Sequence, residues 1–397
     1  MATTYYVAPC GKDNNDGLSQ ATAFRNLQKA ADIVVPGDEV IIEGGFYSGF
    51  TINAKGTATA PIIFKAPQKN AIINEPNPIN QIGIDIRDAA WLTLDGFIIT
   101  ATSQRGIRVF FSNHCSIKNC IIDGTESHGI LAGTTIDLTI ERNIVKNVQN
   151  SHGITVSNSS ENPIIRHNII HHNAASGLQV DGDESAGGGG IITSPIIHNN
   201  IIYENGLKGG AAINLDGCHH ALVWNNLLYE NHATGIALFK GSAATGSPNA
   251  KIFNNTIINA VDARWCLLIS NNSTNTSLIN NILFNQHAWK GSIAIDQGSI
   301  LGFRSDYNVL MERVGTSGDC CILPFANWQM LGHDLNSHLI NSLDSIFVNW
   351  RKNGFHPLST SSPINHGTNE VQEIIKNDLD CKLRFIDNSI DIGCYEL

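Results

Sequence analysis

The sequence predicts an all-β fold, a single-stranded parallel β-helix in which each coil stacks on the next, capped at its N-terminal end by a short helix. Three observations predict it. The first is a near-copy: Ile196-Ile197-His198-Asn199-Asn200-Ile201-Ile202-Tyr203-Glu204-Asn205 recurs as Leu222-Val223-Trp224-Asn225-Asn226-Leu227-Leu228-Tyr229-Glu230-Asn231. The second is a column of apolar-alternating runs at a spacing of about 25 residues: Gly106-Ile107-Arg108-Val109, Gly129-Ile130-Leu131-Ala132, Gly153-Ile154-Thr155-Val156, Gly177-Leu178-Gln179-Val180, Ala212-Ile213-Asn214-Leu215 and Gly235-Ile236-Ala237-Leu238. The third is a parallel column of asparagines, Asn119, Asn143, Asn168, Asn200, Asn226, Asn255 and Asn281. Strands at this period without helices between them exclude a doubly wound sheet. A parallel coil satisfies them, with apolar residues pointing in and each coil bonded to the next about 4.8 Å away. The asparagines fit a turn position, where the carboxamide bonds backbone and the asparagine of the next coil.

The elements follow in chain order. Residues 5–9 read as a strand. Gly11 to Gly17, with Asp13, Asn14, Asn15 and Asp16, reads as an Asx-rich turn, since its spacing misses the calcium loop of an EF-hand. Residues 24–34 carry apolar side chains at helical spacing and stop at Pro36-Gly37-Asp38, which suits a helix covering the open end of a stack. Short β-branched runs follow at Val40-Ile41-Ile42, Phe50-Thr51-Ile52, Pro61-Ile62-Ile63-Phe64, Ile82 to Ile86 and Trp91 to Leu94. Two coils carry insertions, one from Asp183 through Gly187 to Gly190, the other from Gly241 to Asn249; inserts in repeat folds tend to emerge on the working face. The repeat decays after about Asn308, and residues 325–330 read as a short helix. The expected organisation is one β-helix over 1–310, its cap ending near residue 60, with an irregular segment over 311–397 packed on it.

Composition bounds the function. Of 397 residues, 42% are hydrophobic and 15% charged, which describes a folded chain. A formal net charge of −10 with no basic stripe argues against nucleic acid and against an anionic membrane surface. No run is long enough to span a bilayer. Nine cysteines, among them the adjacent Cys320 and Cys321, follow no zinc spacing and read mainly as small buried hydrophobes. The N-terminal residues read as a strand and not as a signal peptide. A secreted or periplasmic setting is expected, with the leader outside this sequence, and a cytoplasmic one is the alternative.

Strand alternation defines a candidate face. With Ile154, Leu178, Ile213 and Ile236 pointing in, Thr155, Gln179, Asn214 and Ala237 point out, as do Ser157, Asp181, Asp216 and Phe239. His128 and His152 precede column glycines and join this face only where the strand begins at the glycine; Lys240 needs the same allowance at the far end. Asp181 and Asp216 fall on consecutive coils, so their carboxylates are expected about 5 Å apart. Such a pair shares a proton or binds a cation. The plainer alternative is that Asp181-Gly182 and Asp216-Gly217 are turn residues at strand ends.

The opening Tyr5-Tyr6-Val7-Ala8-Pro9 with Asp13 and Gly17, then Leu27-Gln28-Lys29-Ala30-Ala31 and Pro36-Gly37-Asp38, resembles the N-terminal cap of bacterial right-handed parallel β-helix proteins of the pectate-lyase-like superfamily. The ending Asp391-Ile392-Gly393-Cys394-Tyr395-Glu396 is similar to a tail common among them. The resemblance spans nearly the whole chain and implies a right-handed coil. It specifies activity weakly, because the superfamily holds lyases, hydrolases and epimerases. Its calcium-dependent lyases use an aspartate cluster and a lysine base. The counterparts here are Asp181 and Asp216 for calcium and Lys240 as base; a hard cation there would have Asp183 or Glu184 available to complete its shell. The chain departs from that pattern at Thr234-Gly235, where the lyases carry Asp-Gly, and it lacks the epimerase motif Asp-Pro-His-Asp.

The resemblance thus implies a lyase for a uronic-acid-containing polysaccharide. Calcium would bridge an acidic protein to an acidic sugar and acidify the C5 proton, which Lys240 would remove. Gln179, Asn214, His152 and His128 would contact the sugar. Two alternatives stand beside it: a glycoside hydrolase using the carboxylate pair, and a non-catalytic carbohydrate-binding β-helix.

Overall fold

A computed structural model describes residues 2–100, 104–316, 321–384 and 389–397; Cys320 lies outside them. The chain separates into two compact units, Met1–Gln179 and Val180–Leu397. Each is built as a parallel β-helix.

In the first unit three parallel sheets share the work. One runs through Thr4–Val7, Glu39–Ile42, Ile62–Lys65, Leu92–Asp95, Ser116–Lys118, Thr139–Glu141 and Ile164–Arg166. A second runs through Gly45–Ser48, Ala71–Glu75, Phe97–Thr100, Ile121–Asp123, Ile144–Lys146 and Ile169–His171. The third holds Phe50–Ile52, Ile84–Arg87, Arg105–Phe110, His128–Gly133 and Ile154–Ser157. Register follows the sequence column: Ile84, Ile107, Ile130 and Ile154 are successive partners and all buried. Three strands of the second sheet, Gly45–Ser48, Ala71–Glu75 and Phe97–Thr100, escape the sequence reading. The expected helix is shorter than its pattern, Leu27–Ala31, and buries Leu27, Ala30 and Ala31. Asp13 accepts the backbone N–H groups of Arg25 and Asn26 at 2.9 Å each, so the polar turn ties the strand to the entry of the helix.

In the second unit the corresponding coils are Ile196–His198, Ile201–Tyr203 and Ala211–Asp216, then Leu222–Trp224, Leu227–Tyr229 and Thr234–Phe239, with further coils beyond. The near-copies pair as read: Ile197 with Val223, Ile202 with Leu228, Ile213 with Ile236. Residues 325–330 form the expected helix. The last residues are held by the coils: Asn254 donates to the Asp391 carbonyl at 2.9 Å, and the fully buried Arg384 donates to Asn225 and to the Gly393 carbonyl at 2.7 Å and pairs with Glu396 at 3.1 Å.

The asparagine column is a buried ladder. In the second unit the Asn200, Asn226, Asn255 and Asn281 amides donate to the side-chain oxygens of Asn226, Asn255, Asn281 and Asn308 at 2.8–3.0 Å. In the first, Asn143 donates likewise to Asn168. Asn119 is off by one position. It is the left-handed turn residue, with φ 53°, and its side chain bonds Asp95; Cys120 holds the ladder place and donates to Asn143. Among the described residues no helix is long and apolar enough to cross a membrane.

Candidate functional site

In the second unit the two insertions meet over the ends of two strands. Asp181 ends Leu178–Asp181 and Asp216 ends Ala211–Asp216. The Glu184 amide donates to the Ser242 carbonyl, and the Ala244 amide to the Gly190 carbonyl, both at 2.9 Å. The approach needs glycine: a Cβ on Gly182 would lie 2.2 Å from the Gly190 oxygen, and one on Gly217 would lie 2.3 Å from Ala243. The loop is pinned by Asp216, which is 2% exposed. One carboxylate oxygen accepts the Gly241 amide at 2.7 Å, and the other accepts the Ser242 amide at 2.8 Å and its hydroxyl at 3.2 Å. The same hydroxyl lies 2.8 Å from Asp181. The two aspartates therefore share the Ser242 hydroxyl. Burial, with the charges of Asp216 and Asp183 adding to it, raises the Asp181 carboxyl above the usual aspartate range, against the bonds from Ser242 and Asp183. Lys240, just after Thr234–Phe239, lies exposed and donates to the Ala244 carbonyl at 2.8 Å.

This geometry does not suit calcium. Both Asp216 oxygens face N–H donors of the loop, Asp181 also accepts the Asp183 amide, and Asp183 accepts the Ser185 hydroxyl. Glu184 sits exposed on the 3-10 turn Glu184–Ala186. Among the described residues no three His, Cys, Asp or Glu side chains converge as metal ligands. Asp181, Asp216 and Asp183 thus form a hydrogen-bonded corner, with Glu184 exposed beside it.

The outward polar face is less open than alternation suggests. Gln179 is 7% exposed and receives the Ser176 hydroxyl at 3.2 Å; Asn214 is 8% exposed. Thr155 is buried, and its hydroxyl has no partner among the described residues.

In the first unit His128 opens the strand His128–Gly133, one place before Gly129, and His152 precedes Gly153 in the same way. The glycines fix this arrangement. A Cβ on Gly129 or Gly153 would lie 2.7 Å from the carbonyl oxygen of the next coil and at most 2.7 Å from an interior Val145 or Ile170 methyl. The histidine rings lie 5.8 Å apart. His128 touches the Ser127 hydroxyl at 2.7 Å through Nδ1 and the Ser151 hydroxyl at 3.1 Å through Nε2. The Ser176 amide donates to His152 Nδ1 at 3.1 Å, so the neutral ring carries its proton on Nε2. Burial, then the neighbouring His152 and Arg105, pushes His128 down to about 3, and burial pushes His152 down to about 4. Both rings are neutral at neutral pH.

Sequence reasoning missed Arg105 and Arg108. Arg105 occupies the place before Gly106 that His128 and His152 occupy before theirs, and it is the register partner of His128. That recurrence was the available signal. Arg108 forms a two-point pair with the buried Asp85, at 2.8 and 2.6 Å, which Asn80 also bonds at 2.7 Å. Arg108 and Asp85 line an open cleft of about 880 Å³ with Thr51, Asn53, Asn80 and Arg87.

The sequence family described as Pel9A-like, right handed beta helix region, matches residues 5–149. No curated protein sequence matches the chain. Among solved structures, pectate lyase Pel9A is 16% identical with a TM-score of 0.70, covering 100% of this chain and 96% of its own. A lacto-N-biosidase from Eubacterium ramulus is 13% identical with a TM-score of 0.58, over 85% of this chain and 68% of that one. A rhamnogalacturonan lyase is 16% identical with a TM-score of 0.56, over 87% and 90%. Likeness at this identity carries fold and not chemistry. The chain is a parallel β-helix, and its residues 5–149 match the Pel9A-like right-handed β-helix family.

Proposed function

We propose that this protein is a carbohydrate-active enzyme, a polysaccharide lyase that cleaves a uronic-acid-containing glycan by β-elimination, with Lys240 as the base. The observation that carries the reading is the grip of Asp216 on the backbone just after Lys240. A buried carboxylate that fixes the backbone just after Lys240 limits where its side chain can reach. Lys240 would remove the C5 proton, the C4–C5 double bond would form, and the C4–O bond would break. Asp181 holds a proton more readily than an ordinary aspartate and is the group suited to deliver it to the leaving oxygen. Asp216 is then a positioning residue.

The test is a screen of acidic polysaccharides, with calcium and with chelator, following ultraviolet absorbance of the unsaturated product and reducing ends together. Absorbance that persists in chelator is expected. Its loss on chelation would return a cation to the reaction. Lys240→Ala should lower kcat/KM by about a hundredfold or more; unchanged turnover would remove Lys240 from the mechanism. One observation favours a second reading. The raised Asp181 carboxyl also suits the general acid of glycoside hydrolysis. Reducing ends without absorbance would select it, and binding without either product would leave a carbohydrate-binding β-helix. A secreted or periplasmic setting goes with the lyase reading.

A further inference from the structure

The geometry points to a metal-free binding subsite for a uronosyl carboxylate at Arg105, His128 and His152, with Arg108 beside it. The cluster is a ladder of one coil position. Arg105 and His128 are register partners, about 4.8 Å apart as adjacent strands must be, and the His152 ring lies 5.8 Å from that of His128.

What distinguishes it is an unmet charge. Among the described residues Arg105 has no carboxylate of its own. Its side chain donates a long bond, 3.4 Å, to Gln104, and its buried Nε has no acceptor among the described residues. Asp85, the acid whose charge acts on it, is engaged in two bonds by Arg108. Burial and the charge of Arg108 both disfavour the Arg105 cation, and Asp85 offsets this only in part. The groups facing His128 are Arg105 on one side and His152 on the other, with the hydroxyls of Ser127 and Ser151; none carries negative charge. A half-buried guanidinium among neutral imidazoles is a site short of one anion. A planar carboxylate matches the guanidinium fork. His152 Nε2–H adds a neutral donor for a carboxylate or hydroxyl oxygen. Arg108 also lines the cleft with Arg87, Asn53 and Asn80.

The choice of a sugar carboxylate rests on the lyase reading, but binding is measured without turnover, so the two can fail separately. The probes are trigalacturonate, its methyl ester and inorganic sulfate, in chelator, by calorimetry and by histidine NMR. Trigalacturonate is expected to bind and the ester to bind roughly tenfold or more weakly, the size of a lost charge-assisted bond. Bound carboxylate should also move the His128 and His152 titrations upward, which a structural role for Arg105 would not do. Arg105→Ala should lose the preference for acid over ester. Arg105→Lys, which keeps charge and fold but not the fork, should lose part of it. Equal binding of acid and ester, sulfate competing as well as the sugar, or an Arg105→Lys protein with unchanged binding and histidine shifts would each overturn the assignment.

Discussion

The Asp216 corner of the second unit and the Arg105 ladder of the first are both polar clusters on outer strand ends, and they differ in how far the fold has satisfied them. Asp216 is closed: three backbone amides and a hydroxyl fill its oxygens. Arg105 is open: its charge has no acid partner and its Nε no acceptor among the described residues. Aspartates beside a glycine-rich insertion draw attention in a sequence, yet burial has turned one of them into scaffold. The arginine draws none, yet it keeps bonding capacity for something that is not protein. A residue's chemistry is available to a ligand only to the extent that the fold has left it unspent.

The largest effect that would sharpen this comparison is on stability. Asp216→Ala strands the Gly241 and Ser242 amides in a buried corner and should cost about 3 kcal/mol or more, read from the urea midpoint. Asp216→Asn keeps an acceptor and should cost less. Arg105→Ala removes an unpaired charge and should leave the midpoint nearly unchanged or raised. If the two alanine variants destabilise equally, the distinction between closed and open clusters fails.

A smaller effect is expected in the ladder. Asn255 accepts from the Asn226 amide at 3.0 Å and donates to the Val223 and Phe253 carbonyls at 3.0 Å each. Asn255→Ala leaves these buried groups unmet, for about 2 kcal/mol. Asn119→Ala, one place off the ladder and bonded to a part-buried Asp95, should cost well under half of that. Thermal melts of the two variants check it; similar losses would mean that the ladder contributes nothing beyond ordinary turn bonds.

The coil was legible because its signals are local and repeated. Ile107, Ile130 and Ile154 occupy equivalent places, and their burial needed no knowledge of distant residues. The reading slipped where a signal was one residue wide: Asn119 and Asn143 look like one column, but the left-handed turn takes Asn119 and leaves the ladder place to Cys120. It failed where the outcome depended on loops meeting. Nothing in Asp216-Gly217 announces that Gly241 and Ser242 will bring their amides to it, since that contact depends on Gly182 and Gly217 admitting the inserts. The Asp85–Arg108 pair, 23 residues apart, follows from register alone and was readable once the column was drawn. The buried hydroxyl of Thr155 was not, because alternation assigns a side chain to a face without saying whether that face is wet.

The smallest expected effect separates the two units by pH. In the first, His128 and His152 titrate near 3 and 4 when folded and near 6.5 when unfolded. The unfolded chain binds the protons first, so their contribution is complete above about pH 6.5 and is lost as pH falls toward 4. In the second, burial and the charge of Asp391 raise Glu396 to about 7, against its pairing with Arg384, from an ordinary 4.5. There the folded state binds the proton first, so stability is gained as pH falls from 7 to 4.5. Hydrogen exchange of peptides from each unit between pH 7 and 4.5, corrected for intrinsic rates, should show protection falling around residues 128–153 and rising around 378–396. A His128→Gln and His152→Gln double variant should flatten the first trend alone, and Glu396→Gln the second. Trigalacturonate offers a further discriminator: by raising the histidine titrations toward 6.5 it should weaken the acid sensitivity of the first unit and leave that of the second where it was. If the sugar acid shifts both trends or neither, the open cluster is not where the anion goes.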